Sequence, residues 1–313
     1  MKKRVLITGS SGMLGLDLCQ ELSPYYTVYG IDLVQRTEYR EQSTEDGEQS
    51  FSRGDVTDGA GILKIILKIK PDVVIHTAAW TDVDGCELDK TRAYKVNSQG
   101  TKNIVSACNK NKAILIYIST DFVFDGKKKL PYKETDSPKA LSVYGDSKLR
   151  GEEAVMEGLK RYFIIRTSWL YGKFGRNFVD TIMTKAKSKK ELKVVDDQAG
   201  SPTYTKDLAK AIHALLGMIR GQRTEDRGQI YGIYHVSNSG SVSWYKYAKE
   251  ILKIARSGAR VLPISSEELS RPARRPAMSI LDNSKFVKFT GYRMRSWKDA
   301  LKEYMGKHER MPC

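Results

Sequence analysis

The segment Arg4-Val-Leu-Ile-Thr-Gly-Ser-Ser-Gly-Met-Leu-Gly15 decides the fold, because it joins a strand, a glycine turn and a helix start without a break. Residues 4–8 read as a buried strand and residues 13–22 as the helix that follows. In that context the Gly-x-x-Gly-x-x-Gly spacing predicts a dinucleotide cradle. Glycines let the backbone approach a pyrophosphate, and the helix N-terminus adds N–H groups and a favourable dipole. Gly9, Ser11, Gly12, Met13, Leu14 and Gly15 are therefore candidate cofactor contacts. The spacing departs from Gly-x-Gly-x-x-Gly, and a glycine turn that binds nothing is the alternative.

Outward from the loop, strand and helix patterns alternate. Strands are predicted over 27–32, near Phe51, over 73–77, 113–119, 162–167 and 230–236. Helices are predicted over 62–69, 93–109, 143–158, 206–218 and 244–254. Alternation of this kind predicts an α/β fold: a doubly wound, Rossmann-like parallel sheet with a smaller C-terminal cap for the substrate. Residues 1–170 are expected to be mainly dinucleotide-binding. Residues 171–313, where the alternation loosens, are expected to be mainly substrate-binding, with segments returning to the sheet. Residues 35–49 read as an exposed loop, and residues 263–279 as a stretch rich in Pro, Ser and Arg.

Asp32 ends the second strand, where a carboxylate accepts hydrogen bonds from adenosine ribose hydroxyls and repels a 2′-phosphate. NADH is thereby favoured over NADPH, although Arg36 offers a guanidinium to that phosphate. Asp55 and Val56 suit the adenine end, with an ordinary strand-end aspartate as the alternative.

Tyr144-Gly-Asp-Ser-Lys148 places a phenol and an ammonium one helical turn apart. The cation is expected to lower the tyrosine pKa toward the range of a general acid, as protonation of a ketone requires. The spacing alone is weak, since 17 tyrosines and 53 basic residues in 313 give about three Tyr-x-x-x-Lys/Arg matches by chance. Tyr245/Lys249 and Tyr162/Arg166 are such matches, read as a late helix face and a strand.

Composition narrows the classes. The 313 residues suffice for a full core, 40% are hydrophobic, and no apolar run approaches the ~20 residues of a membrane helix. Met1-Lys-Lys-Arg4 leads directly into a strand without a signal-peptide core, so a cytoplasmic protein without a membrane partner is expected. Cys19, Cys86, Cys108 and Cys313 form no Cys-x-x-Cys, and His76, His213, His235 and His308 no ligand pair, so neither disulfides nor a metal are expected. The net charge of +16 is spread over loops and helices, as in residues 127–129 and 185–190, without the aromatic interleaving of a single-strand binder. It reads as a solvated surface that attracts anionic ligands, and no nucleic-acid partner is expected.

The chain resembles the extended short-chain dehydrogenase/reductases, and among them the dTDP-4-dehydrorhamnose reductase family. Five further motifs carry the likeness: His76-Thr-Ala-Ala-Trp-Thr-Asp-Val-Asp84, Ser119-Thr-Asp-Phe-Val-Phe-Asp-Gly126, Arg166-Thr-Ser-Trp-Leu-Tyr-Gly172, Asp197-Gln-Ala-Gly-Ser-Pro-Thr203 and Arg275-Pro-Ala-Met-Ser-Ile-Leu-Asp282. The resemblance implies a catalytic Thr120, Tyr144 and Lys148, with Tyr144 and Lys148 also touching the cofactor beside Ala78 and Ala79. It implies an NADH- or NADPH-dependent reduction of a nucleotide-diphosphate sugar, most specifically dTDP-4-dehydro-L-rhamnose. Substrate contacts are expected from Val83, Thr120, Asp121, Trp169 and Arg275, the last clamping a pyrophosphate with Arg271 and Arg274 nearby. Core packing is the alternative for Trp169, and an unliganded surface cluster for the arginines. Phe122 stands where the related 4,6-dehydratases carry a glutamate, which removes their acid/base pair. An epimerase, a non-catalytic subunit similar to the methionine adenosyltransferase β subunit, and a homodimer all stay open.

Overall fold

The computed structural model describes residues 2–35, 50–221 and 230–308. The loop expected over 35–49, apart from Gln35, lies outside the described residues, as do Arg36 and Cys313. The strands in chain order are β1 (Arg4–Thr8), β2 (Thr27–Asp32), β3 (Ser50–Arg53), β4 (Val73–His76), β5 (Ile114–Thr120), β6 (Tyr162–Thr167) and β7 (Leu170–Tyr171). They continue with β8 (Glu191–Val195), β9 (Ala199–Gly200), β10 (Thr203–Tyr204), β11 (Gly232–His235), β12 (Val242–Ser243) and β13 (Arg260–Ile264). The helices are α1 (Met13–Leu22), α2 (Gly59–Ile69), α3 (Val83–Leu88), α4 (Lys90–Tyr94), α5 (Gly100–Asn111) and α6 (Val143–Gly158). The later ones are α7 (Phe178–Ser188), α8 (Thr205–Gly221), α9 (Trp244–Ile254), α10 (Ser266–Leu269), α11 (Ser284–Thr290) and α12 (Trp297–His308).

Seven strands form one parallel sheet in the order β11-β6-β5-β4-β1-β2-β3. Strand β11 returns from the late part of the chain to pair with β6. The sheet is buried on both faces, so its strands are apolar throughout and their side chains alternate between two cores. Val5 and Ile7 pack with α1 and α8 residues such as Leu16 and Leu215, while Leu6 between them faces Ile62 and Ile104 of α2 and α5. Tyr171, Tyr247 and Tyr304 anchor a separate core in the late region, where β8 pairs with β13, β7 with β10 and β9 with β12.

Two expectations need correction. The single helix predicted over 93–109 is divided into α4, a π-helical turn (Lys95–Gln99) and α5. The wider turn serves the buried Asn97, whose amide accepts from Trp80 N at 2.8 Å and donates to Trp80 O at 3.0 Å, bonds an α-helical surface position does not offer. The stretch 263–279 is less irregular than its composition suggests, because β13 and α10 extend into it.

Strand order reverses between β1 and β4, which opens a crevice at their carboxyl ends. Helix α1 starts at that crevice and lies tight on the glycine loop: a Cβ on Gly15 would stand 2.1 Å from the Gly9 carbonyl oxygen. Gly15→Ala must therefore push α1 away from β1. We expect it to lower the unfolding free energy by about 1–3 kcal/mol in a denaturant titration; an unchanged midpoint would show that α1 has slack.

Candidate active site

The crevice widens into a cleft of about 1090 Å³. Of the candidate cofactor contacts, Gly9, Ser11, Gly12, Met13, Leu14, Gly15, Asp32, Asp55, Val56, Ala78 and Ala79 all line it; Arg36 lies outside the described residues. Asp32 does more than face the cleft. Its Oδ2 accepts from Ser11 N at 2.9 Å and its Oδ1 from Leu33 N at 2.7 Å, so the carboxylate also fixes the glycine loop against β2. The Ser11 hydroxyl donates to Val34 O at 2.6 Å, closing the same corner.

Thr120, Tyr144 and Lys148 meet on the floor of the same cleft. Thr120 is the last residue of β5, and its Oγ1 caps the 3-10 turn Asp121–Val123 by accepting from Phe122 N. Helix α6 starts directly beside that turn. Ser142 caps it through Gly145 N, and Glu87 accepts from Val143 N at 2.9 Å. The glycine after Tyr144 is what lets the two elements touch, since a Cβ on Gly145 would lie 2.3 Å from Phe122 O. From the π turn, Asn97 Nδ2 donates to Ser147 Oγ, which donates to Tyr144 O. The phenol of Tyr144 is thereby held in the cleft beside Thr120, near enough for the hydroxyl to act on its ionisation.

Electrostatics here differ from the sequence expectation. Burial pushes the Tyr144 phenol well above its ordinary range, with the Thr120 hydroxyl opposing and Asp121 reinforcing the rise. Lys148 does not counter this, because its Nζ donates to Ile118 O at 2.7 Å and sits 4.1 Å from the centre of the Tyr117 ring. Burial lowers Lys148 itself to about 7, against the pull of Glu152. A phenol kept protonated is still in the right state to donate a proton. Asp121 is raised to about 7 by burial, against the nearby hydroxyls of Ser279 and Thr120, the latter donating to its Oδ1.

Phe122, Trp169, Trp244, Arg271 and Arg275 line both this cleft and a second one of about 1210 Å³, bounded by α7, β8 and the loop after β13. The second cleft carries Lys185, Lys189, Lys193 and Arg274 beside Phe178 and Val194. Trp169 has φ +49° and stacks on Trp244 with ring centres 3.4 Å apart. Both indoles line the junction of the two clefts, so Trp169 combines the packing and the exposure that the sequence left as alternatives. Val83 and Asp121 also line the first cleft.

Arg275 is placed differently from the expected free clamp. Its Nη1 and Nη2 donate to Asp84 Oδ1 and Oδ2 at 3.0 and 2.9 Å, and Asp84 Oδ1 also accepts from Ala273 N. The late loop is thus tied to α3 by a fork-to-fork ion pair. Although desolvation opposes it, the Arg275 bond holds the Asp84 carboxyl below its usual range. The arginine that lines both clefts without being in this pair is Arg271. Sequence reasoning did not single out Asn97, Asp84 or Trp244 as site residues. Asp84 stands in a quoted motif, but nothing local connects it to a guanidinium 191 residues away.

Residues 2–310 match the family described as RmlD substrate binding domain. The chain is 37% identical to the spore coat polysaccharide biosynthesis protein SpsK of Bacillus subtilis, over 96% of each chain. It is 36% identical to the dTDP-4-dehydrorhamnose reductase of Aggregatibacter actinomycetemcomitans, over 96% of this chain and 97% of that one. The crystal structure of dTDP-4-dehydrorhamnose reductase from Bacillus anthracis in complex with NADP superposes with a TM-score of 0.85 at 38% identity, covering 98% of this chain and 100% of that one.

Removal of the Asp84 carboxylate tests the tie between the late loop and α3. In Asp84→Ala, the amide of Ala273 should lose at least about tenfold of its hydrogen-exchange protection, and stability should fall by about 1–2 kcal/mol. Unchanged protection would show that the loop is held by other contacts.

Proposed function

The chain belongs to the RmlD substrate-binding family, and we propose that it is a reductase of a nucleotide-linked 4-keto-6-deoxy sugar, converting dTDP-4-dehydro-L-rhamnose to dTDP-L-rhamnose. The observation that carries this reading is the buried Tyr144 phenol, lining the cleft of the glycine loop together with Thr120 and Lys148 and packed edge-on against Phe122, which also lines the basic, aromatic second cleft. When bound, a reduced nicotinamide supplies the two-electron reductant.

The chain's own residues fit that group. The N-terminus of α1 offers the backbone N–H groups of the glycine loop to a pyrophosphate, and Gly9, at φ +70°, lets the loop turn tightly against Ala78. Asp32 faces the adenosine ribose, Asp55 and Val56 the adenine end, and Ala78 and Ala79 form the wall behind the dinucleotide. Lys148 takes the nicotinamide ribose. Residues 1–170 thus serve mainly the dinucleotide and residues 171–313 mainly the sugar nucleotide. The carboxylate of Asp32 repels a 2′-phosphate, so NADH is the preferred reductant.

On the substrate side, Thr120 holds the ketone oxygen by a hydrogen bond and Tyr144 gives it the phenolic proton. Val83 and Asp121 meet the sugar, and the indole of Trp169 stacks on the sugar or base at the junction of the clefts. Arg271 takes the diphosphate, while Arg275 positions the loop through Asp84 and lines the cleft beside it. Lys185, Lys189 and Lys193 give the second cleft the positive potential an anionic ligand needs.

Tyr144→Phe removes the proton donor and little else. With dTDP-4-dehydro-L-rhamnose, its kcat should fall by about 10³-fold while NADH affinity stays within about threefold of wild type; retained turnover would sink the assignment. In the same assay kcat/KM with NADH should exceed that with NADPH, and Asp32→Ala should shift the ratio toward NADPH by about tenfold. A wild-type preference for NADPH would show that a cation outweighs Asp32.

A further inference from the structure

Helix α6 carries a third residue on the face of Tyr144 and Lys148. Glu152 lies one further turn along and is 0% exposed. Its Oε2 accepts from Arg166 Nη2 at 2.6 Å, and its Oε1 accepts from Arg166 Nε at 3.0 Å and from Ser119 Oγ at 2.5 Å. Arg166 is 2% exposed, pairs in register with Ser119 across β5 and β6, and lays its guanidinium 5.0 Å from the centre of the Phe124 ring. A buried ion pair behind an active site is a costly device, since desolvation offsets most of its attraction. The same packing can be had with apolar residues, so the charge calls for a use.

Lys148 supplies one. Tyr144 lies one turn before Lys148 on α6; the groups in reach of the ammonium are Glu152 on the same helix, Tyr117 on β5 and His76 on β4, with Arg166 on β6 behind Glu152. His76 is buried, hydrogen-bonded to Thr8 and held neutral, its pKa lowered to about 3 by burial and by Lys148. Tyr144 and Tyr117 are both held as neutral phenols by burial. Among the described residues Glu152 is thus the anion that acts on Lys148, and burial of the lysine works against it.

We propose that Glu152 is a positioning residue of this site: held by Arg166, its carboxylate keeps Lys148 a cation and, through Ser119, clamps α6 beside Thr120. The inference rests on the reductase reading for the role of Lys148, and deepens it. Arg166 sets where the carboxylate stands, so the pair acts on the chemistry through Lys148 rather than by touching substrate.

The test is the pH dependence of kcat/KM and, separately, of NADH affinity by fluorescence quenching, in wild type, Glu152→Gln and Lys148→Met. Lys148→Met should abolish the alkaline limb of NADH binding, which assigns that limb. Glu152→Gln should move the limb at least one pH unit lower in both profiles, with kcat/KM about tenfold down at pH 7.5 and recovering toward pH 6. Because Glu152→Gln leaves Arg166 buried and unpaired, Glu152→Gln/Arg166→Met is measured beside it; it should fold with near wild-type stability and still show the displaced limb. A wild-type profile in either folded variant overturns the proposal, since a merely structural pair would change stability alone. Absence of wild-type turnover together with a displaced binding limb would remove the reductase reading and leave the positioning role standing.

Discussion

The closeness of α6 to β5 is the constraint on which the site depends. Tyr117 Oη donates to Lys148 O at 3.2 Å, Lys148 Nζ donates back to Ile118 O at 2.7 Å, and Ser119 donates to Glu152. Three successive residues of β5 are thereby bound to one helix before Thr120 ends the strand. Two elements locked this way hold Thr120 and Tyr144 in a fixed relation, as positioned proton transfer requires. Gly145 and Asn97 serve the same contact, one by leaving space and the other by bracing the helix start from the π turn.

Burial sets the electrostatics of the floor. Tyr144, Lys148, Asp121 and His76 are all enclosed, and in each the cost of taking a charge out of water is the largest influence on ionisation. The phenol and imidazole stay neutral, while the lysine and the Asp121 carboxyl are drawn toward neutrality. Weak opposition from single neighbours cannot reverse such shifts, so the expected lowering of Tyr144 by Lys148 fails in this geometry. Beside them Arg166 reaches both oxygens of the Glu152 carboxylate, through Nε to Oε1 and Nη2 to Oε2.

The two clefts share a wall made by Phe122, Trp169, Trp244, Arg271 and Arg275. One lies at the switch in strand order, where carboxyl ends of parallel strands and the start of α1 converge. The other belongs to the late part of the chain, whose separate core orients α7, β8 and the loop after β13. Stacked Trp169 and Trp244 mark their junction, and the Asp84–Arg275 pair closes one side by joining α3 to the late loop.

The sheet, the glycine loop and the Tyr144/Lys148 spacing were legible in the sequence, because each is written locally, as short apolar runs alternating with helices, a turn followed by a helix, or two residues one turn apart. Segments 4–8, 13–22, 27–32, 143–158, 162–167 and 244–254 keep their expected bounds for that reason. The division of the helix over 93–109 was not legible, since a π turn is set by what Asn97 meets in space. Nor was the fate of Arg275, whose partner lies 191 residues away, or the stacking of Trp169 on a tryptophan from another helix. The sequence by itself determined which chemistry-bearing side chains the chain owns and on which elements they sit. Only the tertiary structure decided which are charged, which are already paired and which face an open cleft, because burial and partners are properties of segments brought together by folding.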